Sequence, residues 1–184
     1  MVGRSSERPA GGVRMTKREK LALWIFWGAV ALSLRRRETA PAITYPGAKQ
    51  YKPGSPEQIA LFENAADTAG VARSWASDPD FITLLRRESN GWVGIPNYTY
   101  GSITKDRSKW PLIWEQLKAG IITTKSSATG LGQMTLPNTD AHYPAKRQGI
   151  GDAWNEAVGM LRYIKKRYGT PAAARKFHDE KGWY

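Results

Sequence analysis

The chain has 184 residues, with no cysteine and two histidines, and its 28 basic and 16 acidic side chains give a net charge of +12. The lack of cysteine excludes disulfides and thiolate metal sites, and with no glycine-rich phosphate loop and no metal-ligand spacing we expect no cofactor and no metal. The positive charge favours an anionic partner, such as a lipid surface, a nucleic acid or a cell-wall polymer.

The basic charge is concentrated near the N-terminus. Residues 1–52 contain 11 Lys and Arg against 3 acidic residues, a net charge of +8, whereas residues 53–184 contain 17 against 13, a net charge of +4. Residues 1–20 are polar, glycine-rich and basic, with too little apolar surface to offset the entropy of ordering. We therefore predict a disordered basic tail over residues 1–20, through which a nucleic acid could bind by charge neutralisation.

A hydrophobic run follows the tail. Residues 21–34 (LALWIFWGAVALSL) contain one serine as their polar side chain and are bracketed by KREK and RRR. As a helix this run is roughly 21 Å long, short of a hydrocarbon core of roughly 30 Å, although flanking Lys and Arg stems can snorkel. A membrane anchor or short transmembrane helix, a signal sequence and a buried core helix are the three interpretations. We predict a helix over 21–37 that anchors the protein at a membrane, and an extended linker over 38–54.

A folded domain is predicted over residues 55–184. Its first helix covers about 56–69 and ends at Gly70, and a second helix covers about 79–88, where DPDF is typical of a helix start. The capping residues are Ser55, with Gln58 completing a capping box, for the first helix, and Asp78 or Ser77 for the second.

The second half of the domain alternates loops and helices. Residues 91–107 are loop-like, SKWPLIWEQLKAG predicts a short helix ending at Gly120, and the following IITT predicts a β element. The clearest helix is DAWNEAVGMLRYIKKRYG, which has Asp152 as its cap, Gly169 as its stop and one apolar stripe. A final helical turn or two is expected from Pro171. The predicted fold class is α+β, predominantly α.

Glu88 stands where the apolar pattern of its own helix calls for a hydrophobic side chain. Phe81, Leu84 and Leu85 have the spacing i, i+3 and i+4, and position i+7 is Glu88. Burial and a helix C-terminus both raise the pKa of a carboxyl group, which can then act as a general acid near neutral pH. The alternative is a helix that ends at Arg87 and leaves Glu88 solvated and paired with an arginine.

The stretch SSATGLGQMTLPNT, residues 126–139, is the second candidate for a site. Two glycines flanking Leu131 predict a tight bend that brings the amide of Gln133 and the thioether of Met134 into a cleft. Such groups suit an amide-bearing ligand. The alternative is a surface turn without a ligand.

Together the two stretches resemble the lytic transglycosylase family of the lysozyme-like superfamily. In that family the catalytic acid belongs to a Glu-Ser pair that ends a helix, matched here by Glu88 and Ser89. A serine-containing turn leads into Gly-Leu-Met-Gln, with Gly132 in place of the usual Met, and an Asn followed four residues later by Gly opens the next helix. The other matching residues are Ser126 or Ser127, Gly130, Leu131, Gln133, Asn155 and Gly159. The resemblance covers about residues 56–184.

The chain departs from the family in two places. The usual Ala-Tyr-Asn-Ala-Gly segment is absent, and the ending resembles a branch of phage and secreted actinobacterial wall enzymes that close with Tyr-Gly-x-Pro and Gly-Trp-Tyr. The missing tyrosine normally orients the acid, and Tyr163 and Tyr184 are candidates to replace it. A long insertion before the Gln133 turn carries Trp110 and Trp114, for which we favour a place in the core over sugar stacking.

The resemblance implies a lysozyme-like domain that cleaves peptidoglycan between N-acetylmuramic acid and N-acetylglucosamine and forms a 1,6-anhydro product. It implies Glu88 as general acid and base, without a second carboxylate. We expect a monomeric catalytic domain that faces the cell wall, in a protein associated with a membrane of a virion or cell envelope. The predicted substrate-binding residues are Ser89, Ser126, Ser127, Gly130, Gln133, Met134, Asn155, Tyr163 and Tyr184.

Two other functions are kept as alternatives. A hydrolytic lysozyme would need a second carboxylate roughly 5–9.5 Å from Glu88, and no pattern singles one out. The second alternative is a non-catalytic membrane-binding or nucleic-acid-binding protein of a virion, which would use the basic tail. The candidate second carboxylates are Asp106, Glu115, Asp140 and Asp152.

Overall fold

The computed structural model describes residues 48–182. These residues form seven α-helices and four short 3-10 turns. The helices are α1 Pro56–Ala69, α2 Pro79–Glu88, α3 Ser102–Lys105, α4 Trp110–Lys118, α5 Leu136–His142, α6 Ala153–Tyr168 and α7 Pro171–Lys181, and the 3-10 turns are Arg73–Ser77, Tyr98–Tyr100, Arg107–Lys109 and Lys146–Gly149. The tail 1–20, the hydrophobic helix 21–37, most of the linker 38–54 and Tyr184 lie outside the described residues and stay predictions.

Helix α6 is the centre of the packing. It lies against α1, α5 and α7, and α7 also packs on α2. Eight residues of α6 are buried, namely all of residues 156–164 except Arg162. The pairing of α2 with α7 matters for the site, because it brings the C-terminal end of α2 close to a segment near the end of the chain.

The predicted first helix is confirmed with a small change in its cap. Ser55 Oγ accepts from the N–H of Gln58 at 3.3 Å, and Gly70 ends the helix in the left-handed region with φ 69°. The side chain of Gln58 reaches back to the N–H of Gly54 at 2.9 Å, one residue before the cap. Its amide also donates to Ala76 O at 3.0 Å, so the fully buried Gln58 ties α1 to the next turn.

The second helix is also confirmed, and its cap is Asp78. One carboxylate oxygen of Asp78 accepts from the N–H groups of Asp80 and Phe81, at 2.8 and 3.2 Å. Helix α6 begins and ends as predicted, with Asp152 accepting from the N–H of Asn155 at 2.8 Å and Gly169 as its C-cap. The last helix is longer than the predicted turn or two, since α7 covers 11 residues.

The predicted β element at residues 121–124 is wrong. No strand forms there, and Ile121 and Ile122 are about half exposed. Over residues 48–182 the β pairing is limited to isolated bridges that join Gln50 to Trp92, Pro96 to Thr129, and Thr129 to Met134. β-Branched residues favour strands by packing on a sheet surface, and here no neighbouring strand offers one. The described part of the chain is predominantly helical, with almost no strands.

Trp110 and Trp114 lie in the core, as we favoured from the sequence. Both side chains are buried, and the indole N–H of Trp114 donates to Gly94 O at 2.6 Å. A Cβ at Gly94 or Gly151 would come within 2.4 and 2.6 Å of the Trp114 ring. The inserted segment therefore packs tightly beneath two loops and contributes to their position.

Gly159 of α6 packs closely against the ring of Tyr143, and we expect Gly159→Ala to destabilise the fold by about 1–3 kcal/mol. A Cβ there would lie 2.1 Å from Cδ1 of the buried Tyr143 ring, and the glycine has ordinary helical backbone angles, so the effect is steric. Urea unfolding measures the loss of stability caused by Gly159→Ala, once in the wild-type protein and once in a Tyr143→Ala background. The cost should largely disappear without the ring, and equal costs in both backgrounds would contradict the steric explanation.

Candidate active site

Glu88 is the last residue of α2 and lies on the face that enters the core. Phe81, Leu84 and Leu85 of the same stripe are fully buried, and the Glu88 side chain is 14% exposed. Burial raises its pKa from 4.5 to about 7. A carboxyl group with that pKa is present in both protonation states near neutral pH, which suits a group that must give and later take a proton.

His178 of α7 is the nearest titratable neighbour of Glu88. Its Nε2 lies 3.2 Å from Glu88 Oε1, and its side chain is 13% exposed. Arg87 lies on the other side of the ring, with NH1 3.1 Å from His178 Nδ1 and 2.5 Å from Asp179 Oδ1. Burial, and after it the charge of Arg87, lowers the pKa of His178, so the imidazole is neutral at neutral pH.

Tyr163, Tyr168 and Arg167 of α6 form an aromatic cluster. The rings of Tyr163 and Tyr168 meet edge to face with centroids 6.2 Å apart, and Arg167 lies over both and donates to the hydroxyl of Tyr163. Burial, then Tyr163, and to a smaller extent the charge of Glu88 raise the pKa of Tyr168 to about 12. The charge of Glu88 therefore reaches the hydroxyl of Tyr168.

Two adjacent cavities open next to this cluster. One has a volume of ≈ 250 Å³ and the other ≈ 360 Å³, and they share Asn138, Tyr163 and Arg167. The first is also lined by the Gln133 turn, and Glu88 is not among the residues that line either of these two cavities. The remaining lining residues are Gly132, Gln133, Met134 and Thr135 for the first, and Ala141, His142 and Lys166 for the second.

The amide of Gln133 holds its own turn together. Gln133 has a positive φ of 45°, and its Nε2 donates to Ile95 O at 3.0 Å and to Gly130 O at 3.3 Å. Its Oε1 accepts from Asn97 at 3.2 Å. Both amide hydrogens are thus used within the protein, and one oxygen lone pair is left for a ligand. Met134 is almost fully buried and pairs its backbone with Thr129.

The other predicted binding residues make local contacts. Ser89 Oγ accepts from Gly91 N, Ser126 Oγ from Ala128 N, and Ser127 Oγ from Leu136 N at the start of α5, at 3.0–3.2 Å. Asn155 accepts from Ala145 N at 2.9 Å and donates to Asp152 at 2.8 Å. These four side chains hold their own loops and are not among the residues that line the two cavities, and direct contact with a ligand stays a prediction for each.

Glu156 is a second buried carboxyl group, which the sequence did not single out. Its Oε2 accepts from the N–H groups of Gly94 and Leu131 at 3.0 and 2.9 Å, and Oε1 from that of Gly151 at 2.9 Å. Burial raises its pKa to about 7, against the opposing effect of the three donors. A Cβ at Gly130 would lie 2.6 Å from this carboxyl group, which explains the glycine.

His178 could have been found by the argument used for Glu88. Pro171, Ala174 and His178 have the spacing i, i+3 and i+7 on one face of α7, and the first two are buried. The sequence gives no such signal for Glu156. The helix dipole favours acidic residues in the first turn of a helix even when they are exposed to solvent, so an acidic residue at that position does not indicate burial.

No helix between residues 48 and 182 is long and apolar enough to cross a membrane, and the predicted anchor at 21–34 lies outside that range. The same described segment contains no group of three or more His, Cys, Asp and Glu side chains placed to hold a metal ion. Comparison with protein-family models, curated proteins and solved structures finds no match to this chain.

Proposed function

We propose that this protein is a lytic transglycosylase that cleaves the bond between N-acetylmuramic acid and N-acetylglucosamine in peptidoglycan, with Glu88 as general acid and base. The observation that carries the proposal is a carboxyl group at a helix end, mostly removed from water and with a pKa of about 7. Its charge acts on Tyr168, and the ring of Tyr168 packs against Tyr163, which lines two cavities. We further propose that residues 21–34 hold the enzyme at a membrane, with the domain facing the wall.

In the proposed reaction, protonated Glu88 donates its proton to the oxygen of the glycosidic bond, and that bond breaks at the muramic anomeric carbon. The resulting carboxylate then accepts the proton of the muramic C6 hydroxyl, whose oxygen closes onto the same carbon. The products are a 1,6-anhydromuramic end and a free N-acetylglucosamine hydroxyl. Glu88 ends the cycle protonated, so one carboxyl group near its half-titration point is sufficient.

The other acidic residues support a mechanism with a single carboxylate. Each of the four candidates for a second carboxylate is engaged locally, and Asp179, beside His178, accepts from Arg87 and Arg175. The hydrogen bond from Arg175, and then that from Arg87, lowers the pKa of Asp179 to about 2. The local contacts of the candidates are Asp106 with Ser108 and Lys109, Glu115 with Lys118, Asp140 with Arg147, and Asp152 with Asn155.

The cavities suggest how a glycan would be held. Asn138 offers an amide, and Gln133 has one acceptor position left. Tyr163 forms part of the wall, with 6% of its surface exposed and Arg167 over its ring. Lys166 and Arg167 add positive charge in the second cavity, where the carboxylates of muramic acid and its peptide could lie. The polar and aromatic character of this lining suits a sugar polymer with acetamido groups.

The test is a digestion of purified peptidoglycan by the full-length protein, followed by separation of the products and determination of their masses by mass spectrometry. We expect muropeptides with 1,6-anhydro ends, 18 mass units (about one water) below the corresponding reducing ends, since no water is added. Reducing ends would instead identify a lysozyme that uses the same acid. A matched control is Glu63→Gln, which removes an exposed carboxylate from α1 and should leave the product pattern unchanged.

A further inference from the structure

We propose that His178 positions the acid of the proposed function. Arg87 fixes the imidazole as the neutral form with its hydrogen on Nε2, and this N–H holds Oε1 of Glu88, so that the acidic proton lies on Oε2. The inference rests on the proposed function for its catalytic meaning. His178 then takes the orienting role that the resemblance assigns to the tyrosine of the absent Ala-Tyr-Asn-Ala-Gly segment.

The assignment of the hydrogen follows from the chemistry of the two side chains. A guanidinium group has N–H donors and no acceptor. Arg87 NH1 lies 3.1 Å from His178 Nδ1, so Nδ1 must present its lone pair to accept from Arg87. In a neutral imidazole the hydrogen is then on Nε2, which lies 3.2 Å from Glu88 Oε1. That distance is at the outer end of the hydrogen-bond range.

The arginine is itself held in place. Its NH1 also lies 2.5 Å from Asp179 Oδ1, and Asp179 is held in turn by Arg175 through two contacts of 3.0 and 2.9 Å. Glu88 and Arg87 are adjacent at the end of α2, while His178 and Asp179 are adjacent on α7. The packing of the two helices therefore sets the distance from the imidazole to the carboxyl group.

Charged and titratable groups face this pair from three directions. Arg87 and Asp80 lie on α2, Asp179 and Arg175 on α7, and Tyr168 on α6. The Arg73–Ser77 turn also packs on α2, but its Arg73 pairs with Asp67. Burial, and after it the positive charge of Arg87, disfavours a second proton on His178, while Asp179 opposes this effect and Arg175 adds to it. The ring therefore stays neutral, a donor from Nε2 and an acceptor at Nδ1.

The consequence for Glu88 concerns both its geometry and its proton. Oε1 accepts from Nε2 in the acid and in the carboxylate, so the side chain keeps one orientation through the cycle. A neutral donor stabilises the charged form more than the neutral form. His178 therefore partly opposes the effect of burial, and its removal should raise the pKa of Glu88 further.

The experiment compares the full-length protein with His178→Phe, which keeps the ring and removes the donor, and His178→Gln, which keeps a side-chain N–H. Lys176→Gln, an exposed neighbour on α7, is the control. Carboxyl ¹³C NMR measures the pKa of Glu88 without substrate, and ring ¹⁵N NMR reports which imidazole nitrogen carries the hydrogen. We expect the hydrogen on Nε2, and a rise in the Glu88 pKa of about one unit in His178→Phe.

For cleavage we expect kcat to fall about 10- to 100-fold in His178→Phe, with KM nearly unchanged. The pH at which the rate declines on the alkaline side should rise in this variant. His178→Gln should recover part of kcat. A hydrogen on Nδ1, or an unchanged Glu88 pKa in His178→Phe, would overturn the inference.

If His178→Phe does not fold, Arg87→Met tests the same point, since the ring should then populate both neutral forms. A wild-type protein without cleavage activity would sink the proposed function, while the NMR results would still decide the inference.

Discussion

Glu88→Gln is expected to slow peptidoglycan cleavage by two or more orders of magnitude and, at pH 8, to stabilise the folded protein. The glutamine amide has nearly the same shape but neither gives a proton to the glycosidic oxygen nor accepts one from the C6 hydroxyl. Loss of a single acid and base costs about 10²- to 10⁴-fold in rate. Release of soluble muropeptides at equal enzyme concentration measures it, with Glu63→Gln as the control. Comparable release by Glu88→Gln and wild type would remove Glu88 from the mechanism.

The effect on stability has a definite sign. The pKa of Glu88 is raised in the folded state, from 4.5 to about 7. A raised pKa means that the folded state binds the proton more tightly than the unfolded state. The stabilisation is full below pH 4.5 and is lost as pH rises through about 7. At pH 8 the ionised, mostly buried carboxylate therefore costs up to about 3 kcal/mol.

Glutamine has no charge at any of these pH values. Urea unfolding should therefore give Glu88→Gln a free energy of unfolding about 1–3 kcal/mol above wild type at pH 8, and a much smaller difference at pH 4.5. Glu156 also makes the free energy of unfolding fall as pH rises. This effect is the same in both proteins, so it cancels in the comparison. A variant less stable than wild type at pH 8 would mean that the ionised carboxylate is well paired.

Glu156→Gln is expected to act in the opposite direction and to destabilise the fold by about 2–5 kcal/mol. The carboxyl group accepts from three backbone N–H groups, two at Oε2 and one at Oε1. Glutamine keeps one acceptor oxygen and places an NH₂ group against at least one of these donors. A buried N–H left without an acceptor costs about 1–3 kcal/mol, and two facing donors cost more.

The measurement is urea unfolding of Glu156→Gln at pH 7, followed by circular dichroism. The matched variants are Glu88→Gln, at a partly buried carboxyl group whose partner is the single side chain of His178, and the exposed Glu63→Gln. Only the first substitution should lower the midpoint strongly. A change below about 0.5 kcal/mol, typical of a surface site, would show that the three hydrogen bonds contribute little.

Much of the helical part of the fold could be predicted, because its signals are local. Ser55, Gly70, Asp152 and Gly169 mark helix ends through hydrogen bonds made within a few residues, and apolar spacing gave the buried faces. The same spacing placed Glu88 on the core side of α2. By contrast, IITT has the composition of a strand without a partner strand, and no local pattern reveals that.

The candidate site was predicted less completely, for the same reason. The contact of His178 with Glu88 spans 90 positions, and the bonds from Glu156 to Gly94 and Leu131 span 62 and 25. Helical periodicity indicates that a polar side chain faces inward and cannot indicate which one it meets. The Gln133 turn was expected to grip a ligand, and its amide is used mainly to hold neighbouring backbone.

The carboxyl group of Glu156 has a consequence for how the domain opens. Among residues 48–182 there is no multi-residue strand ladder, and one side chain of α6 joins the loops of Gly94, Leu131 and Gly151. When α6 moves away, all three loops lose their anchor at once. The three amides should therefore exchange their hydrogens with solvent in a single opening event, at rates close to those of the core. We therefore expect the three loops and the core of the domain to open as one cooperative unit.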